Sequence, residues 1–172
     1  MGCMTYKLLL RGRVIGETDL DYAGPGRTQR LALFRPTSEG QQQLPRITGL
    51  LSATLALKQA LARRGLEAND MQADAVLDVL ENTSEGRRVM EVAKALDGLE
   101  LRDERGARLE FTSIAVSDLD EIQQLSRALE TRRSPPDWSA APKSHRYLIS
   151  ATLTDDVASR LPPPRRAETL TL

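Results

Sequence analysis

Tyr6-Lys7-Leu8-Leu9-Leu10-Arg11-Gly12-Arg13-Val14-Ile15-Gly16-Glu17-Thr18-Asp19-Leu20 is the stretch that decides the fold. Tyr6, Leu8 and Leu10 fall on one face at the period of two that marks a strand. Gly12 interrupts the run. Val14 to Leu20 resumes it, with Val14, Thr18 and Leu20 on one side. Two such runs around Arg11-Gly12-Arg13 predict a β-hairpin.

The chain after this hairpin adds strand, then helix, then strand. Ala23-Gly24-Pro25-Gly26 has the composition of a loop, since Pro fixes φ and Gly permits positive φ. Thr28 to Phe34 reads as a third strand, stopped by Pro36. Ser38 with Gln41 resembles a capping box, and Pro45 suits the first turn of a following helix. Ile47, Leu50, Leu51, Leu55, Leu57 and Leu61 recur at helical spacing, and Gly65 supplies a C-terminal stop. A second helix, capped by Asn69 or Asp70, would hold Ala73, Val76, Leu77 and Leu80 on its inward face. A third, capped by Ser84, holds Val89, Val92, Ala93 and Leu96 and stops at Gly98. Leu99 to Asp103 and Arg108 to Val116 read as a second hairpin around Asp103-Glu104-Arg105-Gly106. Asp118 with Glu121 caps a short helix. Residues 132–144 hold Pro135, Pro136 and Pro142 and read as a loop. Tyr147, Ile149, Ala151 and Leu153 alternate in a last strand. The expected organisation is one domain, 1–154, and a Pro-rich, mobile tail, 155–172. Clustered strands and clustered helices predict an α+β fold with a largely antiparallel sheet, two hairpins and a C-terminal strand packed on helices.

Composition narrows the function classes. Of the 172 residues, 40% are hydrophobic but only 3% aromatic, so the core is aliphatic and stacking platforms for bases or sugars are few. The single cysteine, Cys3, excludes an intrachain disulfide and any Cys-x-x-Cys site. Met1-Gly2-Cys3 leaves no apolar run for a signal sequence, and the apolar stretch from Leu50 to Ala62 is too short and polar to span a bilayer. The expected location is the cytoplasm. Net charge is zero, from 24 Lys+Arg and 24 Asp+Glu, but unevenly spread. Residues 1–66 carry 10 basic and 4 acidic side chains, 67–131 carry 7 and 16, and 132–172 carry 7 and 4. Such a split either lets the parts attract one another or steers a charged partner.

No catalytic, metal or cofactor motif emerges. His145, the one histidine, would need a placed nucleophile or carboxylates brought in by folding, and no Gly-x-Ser-x-Gly elbow accompanies it. Asp70, Asp74 and Asp78 step by four residues and would share one face of the second helix. That stripe is either a solvated face or a contact for a basic partner. No EF-hand spacing supports a cation. Ala23-Gly24-Pro25-Gly26-Arg27-Thr28 lacks the Lys and the following helix of a phosphate loop. The pairs Arg63-Arg64, Arg87-Arg88, Arg132-Arg133 and Arg165-Arg166 suit helix ends or, if they converge, nucleic acid, against which the neutral balance argues. Trp138, the only tryptophan, either locks its loop onto the core or anchors a partner.

The run Leu10-Arg11-Gly12-Arg13-Val14-Ile15-Gly16-Glu17-Thr18-Asp19-Leu20 resembles the first hairpin of a set of uncharacterised bacterial α+β proteins with a Gly-x-x-Ile-Gly-x-Ser/Thr-x-Leu pattern. Leu101-Arg102-Asp103-Glu104-Arg105-Gly106 looks like their second hairpin turn. The resemblance implies a bacterial protein with two hairpins and implies no activity and no site residues.

These readings favour a non-enzymatic, adaptor- or immunity-like module that contacts another protein with a basic surface, through Asp70, Asp74, Asp78 and Trp138. The alternatives are an enzyme built on His145 with carboxylates and a nucleic-acid-associated domain built on the arginine pairs. No cofactor, metal or membrane partner is expected.

Overall fold

A computed structural model describes residues 4–65, 73–122 and 147–165. Its elements are β1 (Tyr6–Leu10), β2 (Arg13–Thr18), β3 (Tyr22–Ala23), β4 (Gln29–Pro36), α1 (Ser38–Ile47), α2 (Leu50–Arg63), α3 (Ala73–Asn82), α4 (Ser84–Leu96), β5 (Leu99–Arg102), β6 (Arg108–Leu109), β7 (Phe111–Asp118), β8 (Tyr147–Leu153) and α5 (Asp155–Arg160). The strands form one antiparallel sheet in the order β6-β5-β1-β2-β4-β8-β7, with β3 added beside β4. With helices packed on this sheet, the fold is α+β.

The opening hairpin turns through Arg11 (φ 50) and Gly12 (φ 80). Two successive positive φ values define a type I′ turn, whose twist matches that of paired strands. Leu8 pairs with Gly16 but Leu9 pairs with Val14, so Ile15 is an extra residue in β2. This bulge inverts the parity expected from the sequence. Ile15 is buried and Val14, expected on the inner side with Thr18 and Leu20, is exposed. The glycine-containing pattern of this hairpin therefore has a packing explanation. Gly12 makes the turn, a Cβ at Gly16 would collide with the Phe34 ring, and Ile15, Thr18 and Leu20 enter the interior.

The second hairpin departs further from expectation. β6 pairs with β5 through only Leu101–Leu109 and Arg102–Arg108. The chain then leaves at Glu110, and β7 pairs with β8 at the opposite end of the strand order. One intervening residue cannot span a flat eight-stranded sheet, because consecutive Cα atoms lie only about 3.8 Å apart. The sheet therefore curls until its ends nearly meet, close to a barrel. Its interior holds Leu8, Ile15, Phe34, Leu101, Val116, Ile149 and Leu153, closed by Leu44 and Ile47 of α1 and Val92 and Leu96 of α4. Burial of each such side chain contributes roughly 1.5–3 kcal/mol.

The helices also divide differently from the sequence reading. The expected cap at Ser38 sits one residue earlier: Thr37 accepts a hydrogen bond from the Gly40 N–H at 3.1 Å. Pro45 lies near the end of α1 and not in the first turn of a long helix. The chain breaks at Thr48 and at Gly49, which takes φ +90, so Ile47 and Leu50 belong to different helices. Gly65 ends α2 at φ +69, as expected. Thr83, not Ser84, caps α4, accepting from the Gly86 N–H at 3.0 Å while donating to the Val79 carbonyl at 2.6 Å. It thereby ties the end of α3 to the start of α4.

The segment expected to be a mobile tail is, through residue 165, part of the fold. α5 follows β8 directly and places Val157 in the core, because Val157 is the apolar residue its first turns can aim inward. Residues 161–165 then run back along β3. Among the described residues, no helix is long and apolar enough to cross a membrane.

Candidate functional site

α3 exposes Val76 and Leu77 and α4 exposes Met90, although Val92 and Leu96 of α4 lie in the core. α3 packs against α4, and the two meet most closely at Gly86, where an added Cβ would sit 2.5 Å from the Leu80 Cα. Only glycine permits this approach. One helical turn away from that contact stand Val76 on α3 and Met90 on α4, by the i,i+4 relation to Leu80 and Gly86. Both are exposed, at 37% and 43%, and Leu77 beside them is 53% exposed. The helices thus touch closely near their linked ends, and Val76, Leu77 and Met90 are exposed a turn beyond that contact.

The sequence reading placed Val76, Leu77 and Leu80 on the inward face. Instead Val79 is the buried residue of α3, and Leu80 is half-buried. The inward position falls to Val79, which the expected stripe of Ala73, Val76, Leu77 and Leu80 did not include. Leu80 lies against Gly86 of α4, while Val76 and Leu77, about a turn earlier, are exposed.

Acidic groups are exposed on the same two helices. Asp74 and Asp78 are exposed one turn apart on α3, and Asp78 accepts a hydrogen bond from the Asn82 amide at 2.6 Å. Glu81 on α3 and Glu91 on α4 are also exposed. Arg88 lies 3.8 Å from Glu91, a loose surface pair. Asp70 and Trp138, the other two expected contact residues, lie outside the described residues, as does His145. Of the arginine pairs, Arg63 and Arg64 stand at the C-terminal end of α2, close enough to Glu85 to help lower its pKa. Hydrogen bonds from the Glu85 backbone N–H and the Ser84 hydroxyl are the larger causes of that lowering. Arg87 and Arg88 lie in the first half of α4. Arg132, Arg133 and Arg166 lie outside the described residues.

Two other places have chemical character. A cavity of about 620 Å³ lies where β5, β6 and β7 face α2 and α4, with Leu96, Leu99 and Ile114 among its apolar walls and Arg108, Glu110 and Thr112 among its polar ones. Its walls include no histidine or cysteine. Just after β2, the Asp19 carboxyl is raised above the ordinary range by burial and by the charge of Asp21, with a backbone hydrogen bond at Asp21 and then Arg35 opposing. Leu20, next to it, is buried and takes φ +53, a left-handed conformation that costs a non-glycine residue about 1 kcal/mol or more. Among the described residues, no group of three or more His, Cys, Asp or Glu could hold a metal ion.

No protein-family model, no curated protein and no solved structure matches the chain. The geometry of its own residues is therefore what a functional reading rests on.

Proposed function

We propose that the protein is a protein-binding module that docks a partner on the exposed apolar residues of α3 and α4. The observation that supports this reading is the exposure of Val76, Leu77 and Met90 on helix faces whose periodicity marks them as apolar. Scattered exposed apolar residues are ordinary on any protein. Here Val76 and Met90 each stand one turn from the Leu80–Gly86 contact, Leu77 is next to Val76, and Asp74, Asp78, Glu81 and Glu91 are exposed on the same two helices. Covering the half-exposed Val76 and Leu77 would contribute on the order of 1 kcal/mol each. These acidic residues select a partner whose apolar anchors are ringed by Lys or Arg and speed their encounter. A basic amphipathic helix has that chemistry.

The test uses a fluorescent amphipathic helical peptide of Leu and Lys, titrated by anisotropy. The peptide should bind the wild-type chain, and Val76→Ser with Leu77→Ser should weaken binding at least tenfold. Asp74→Asn with Asp78→Asn should flatten its dependence on salt. Val14→Ser, an exposed apolar site on the opening hairpin, should leave binding unchanged. Equal binding by the wild type and the Val76/Leu77 double variant would refute the reading.

A further inference from the structure

Residues 161–165, Leu161-Pro162-Pro163-Pro164-Arg165, are held like a ligand. Leu161 takes φ −80 and ψ 154, the polyproline region, and packs against the core cluster. The guanidinium of Arg30, a buried cation near the start of β4, donates to the Pro162 carbonyl at 3.1 Å. Three residues later, the Arg165 N–H donates to the Asp21 carbonyl at 2.6 Å, and the Ala23 N–H donates to the Arg165 carbonyl at 2.9 Å. These last two bonds make a parallel bridge between Tyr22 and Arg165 on the free side of β3.

This division of labour fits one class of occupant. Three consecutive prolines cannot donate to a ladder, so an ordinary strand pairing is impossible there. Arg30 instead reads the first proline carbonyl, and the main chain of β3 reads the first residue after the prolines that owns an N–H. Proline also lowers the entropy lost when such a segment is fixed. Arg30 makes simple release costly, because an emptied site strips a buried charged donor of its acceptor. Exchange for an equivalent segment avoids that cost.

We propose that the groove formed by Arg30, Asp21 and Ala23 is a binding site for a proline-rich segment, filled here by the chain's own residues 161–165 and open to exchange with the same segment of a second copy. The second copy is the favoured donor because its segment is the one already seen to fit. The site is independent of the α3–α4 surface. A tethered segment competes at an effective concentration on the order of 1 mM, so wild-type chains at micromolar concentration remain self-filled. Exchange is exposed by weakening the tethered occupant.

Two full-length variants complement each other. Arg165→Pro removes the N–H that bonds Asp21 and keeps the groove. Arg30→Met damages the groove and keeps the segment. Hydrogen exchange at the Ala23 amide reports occupancy. In Arg165→Pro alone this amide should exchange at least tenfold faster than in the wild type. Adding Arg30→Met chains should restore its protection and give a heterodimer by light scattering. A synthetic peptide of residues 160–166 should restore the same protection without a dimer. Unchanged protection in Arg165→Pro, or no restoration by either addition, would overturn the site. Restoration by the peptide but not by the second chain would overturn exchange between copies.

Discussion

The curled sheet with α1 and the contact between α3 and α4 use glycine in different ways. At Gly40, an added Cβ would fall on the Ile15 carbonyl, and the helix it belongs to is sewn down around it. Thr37 donates its backbone N–H to Ile15 at 2.9 Å and its hydroxyl to Val14 at 3.3 Å, and Arg13 pairs with Glu39 at 2.9 Å. Close approach there is one contact among many. At Gly86 the close approach is backed by the Thr83 hydroxyl and the buried Val79, but Val76, Leu77 and Met90 a turn further are exposed. Backbone proximity stabilises a core only when side chains continue it; otherwise it leaves a hinge-like edge that another surface can cover.

Substitutions can break or sharpen this contrast. Gly40→Ala should cost about 3 kcal/mol in urea denaturation, since the clash is with backbone that cannot give way. Gly86→Ala should cost less, about 1–2 kcal/mol, and its effect should be local. Amide exchange should quicken in α3 while the sheet amides keep their protection. A global loss of protection from Gly86→Ala would mean that α3 is as integral as α1.

Two smaller effects probe the sheet end. Among the described residues, the fully buried Thr18 hydroxyl has no hydrogen-bond partner. Thr18→Val, nearly the same shape, should stabilise the fold by about 1 kcal/mol. Asp19 gives the smallest effect and a distinctive sign. Its carboxyl is raised, so the folded chain holds that proton more tightly than the unfolded chain does. The associated stability is present below the ordinary carboxylate range and is lost as pH rises through the raised value. Asp19→Asn should therefore raise Tm at neutral pH, by about 1–2 °C after allowing for solvent screening. The gain should fade on acidification below the ordinary range.

Much of the architecture was legible. The opening hairpin, the break at Gly65 and the last strand follow from local signals that tertiary packing did not override, namely a Gly turn, a left-handed glycine and a strict alternation ending at Leu153. The misreadings share a cause, because each concerns where one element finds its partner. The Ile15 bulge changes which of two neighbouring apolar residues faces in, and periodicity carries no trace of it. Thr48 and Gly49 split a run whose Leu spacing looks continuous. Glu110 sends a strand to the other end of the sheet, a choice made by closure of the whole fold. Val157 and residues 161–165 look like a tail because Pro-rich composition lacks a period, yet Val157 packs in the core and Arg30 and β3 hold Pro162 and Arg165.

The candidate surface was half legible. The four-residue step of Asp74 and Asp78 marked an exposed face, and that face is exposed. The exposure of Val76 and Leu77 could not be read from α3 alone, since it depends on what packs against that helix. Gly86, small and placed one turn into α4, is the sequence signal that would have hinted at a close crossing.

The central claim is that Val76 and Leu77 are apolar without being core. Urea denaturation of Val76→Ser with Leu77→Ser, compared with Val79→Ala, tests it most directly. The account predicts that Val79→Ala loses about 2 kcal/mol by leaving a cavity, while the double variant loses no more than about 0.5 kcal/mol, the range for surface positions. A double variant that unfolds as readily as Val79→Ala would contradict it.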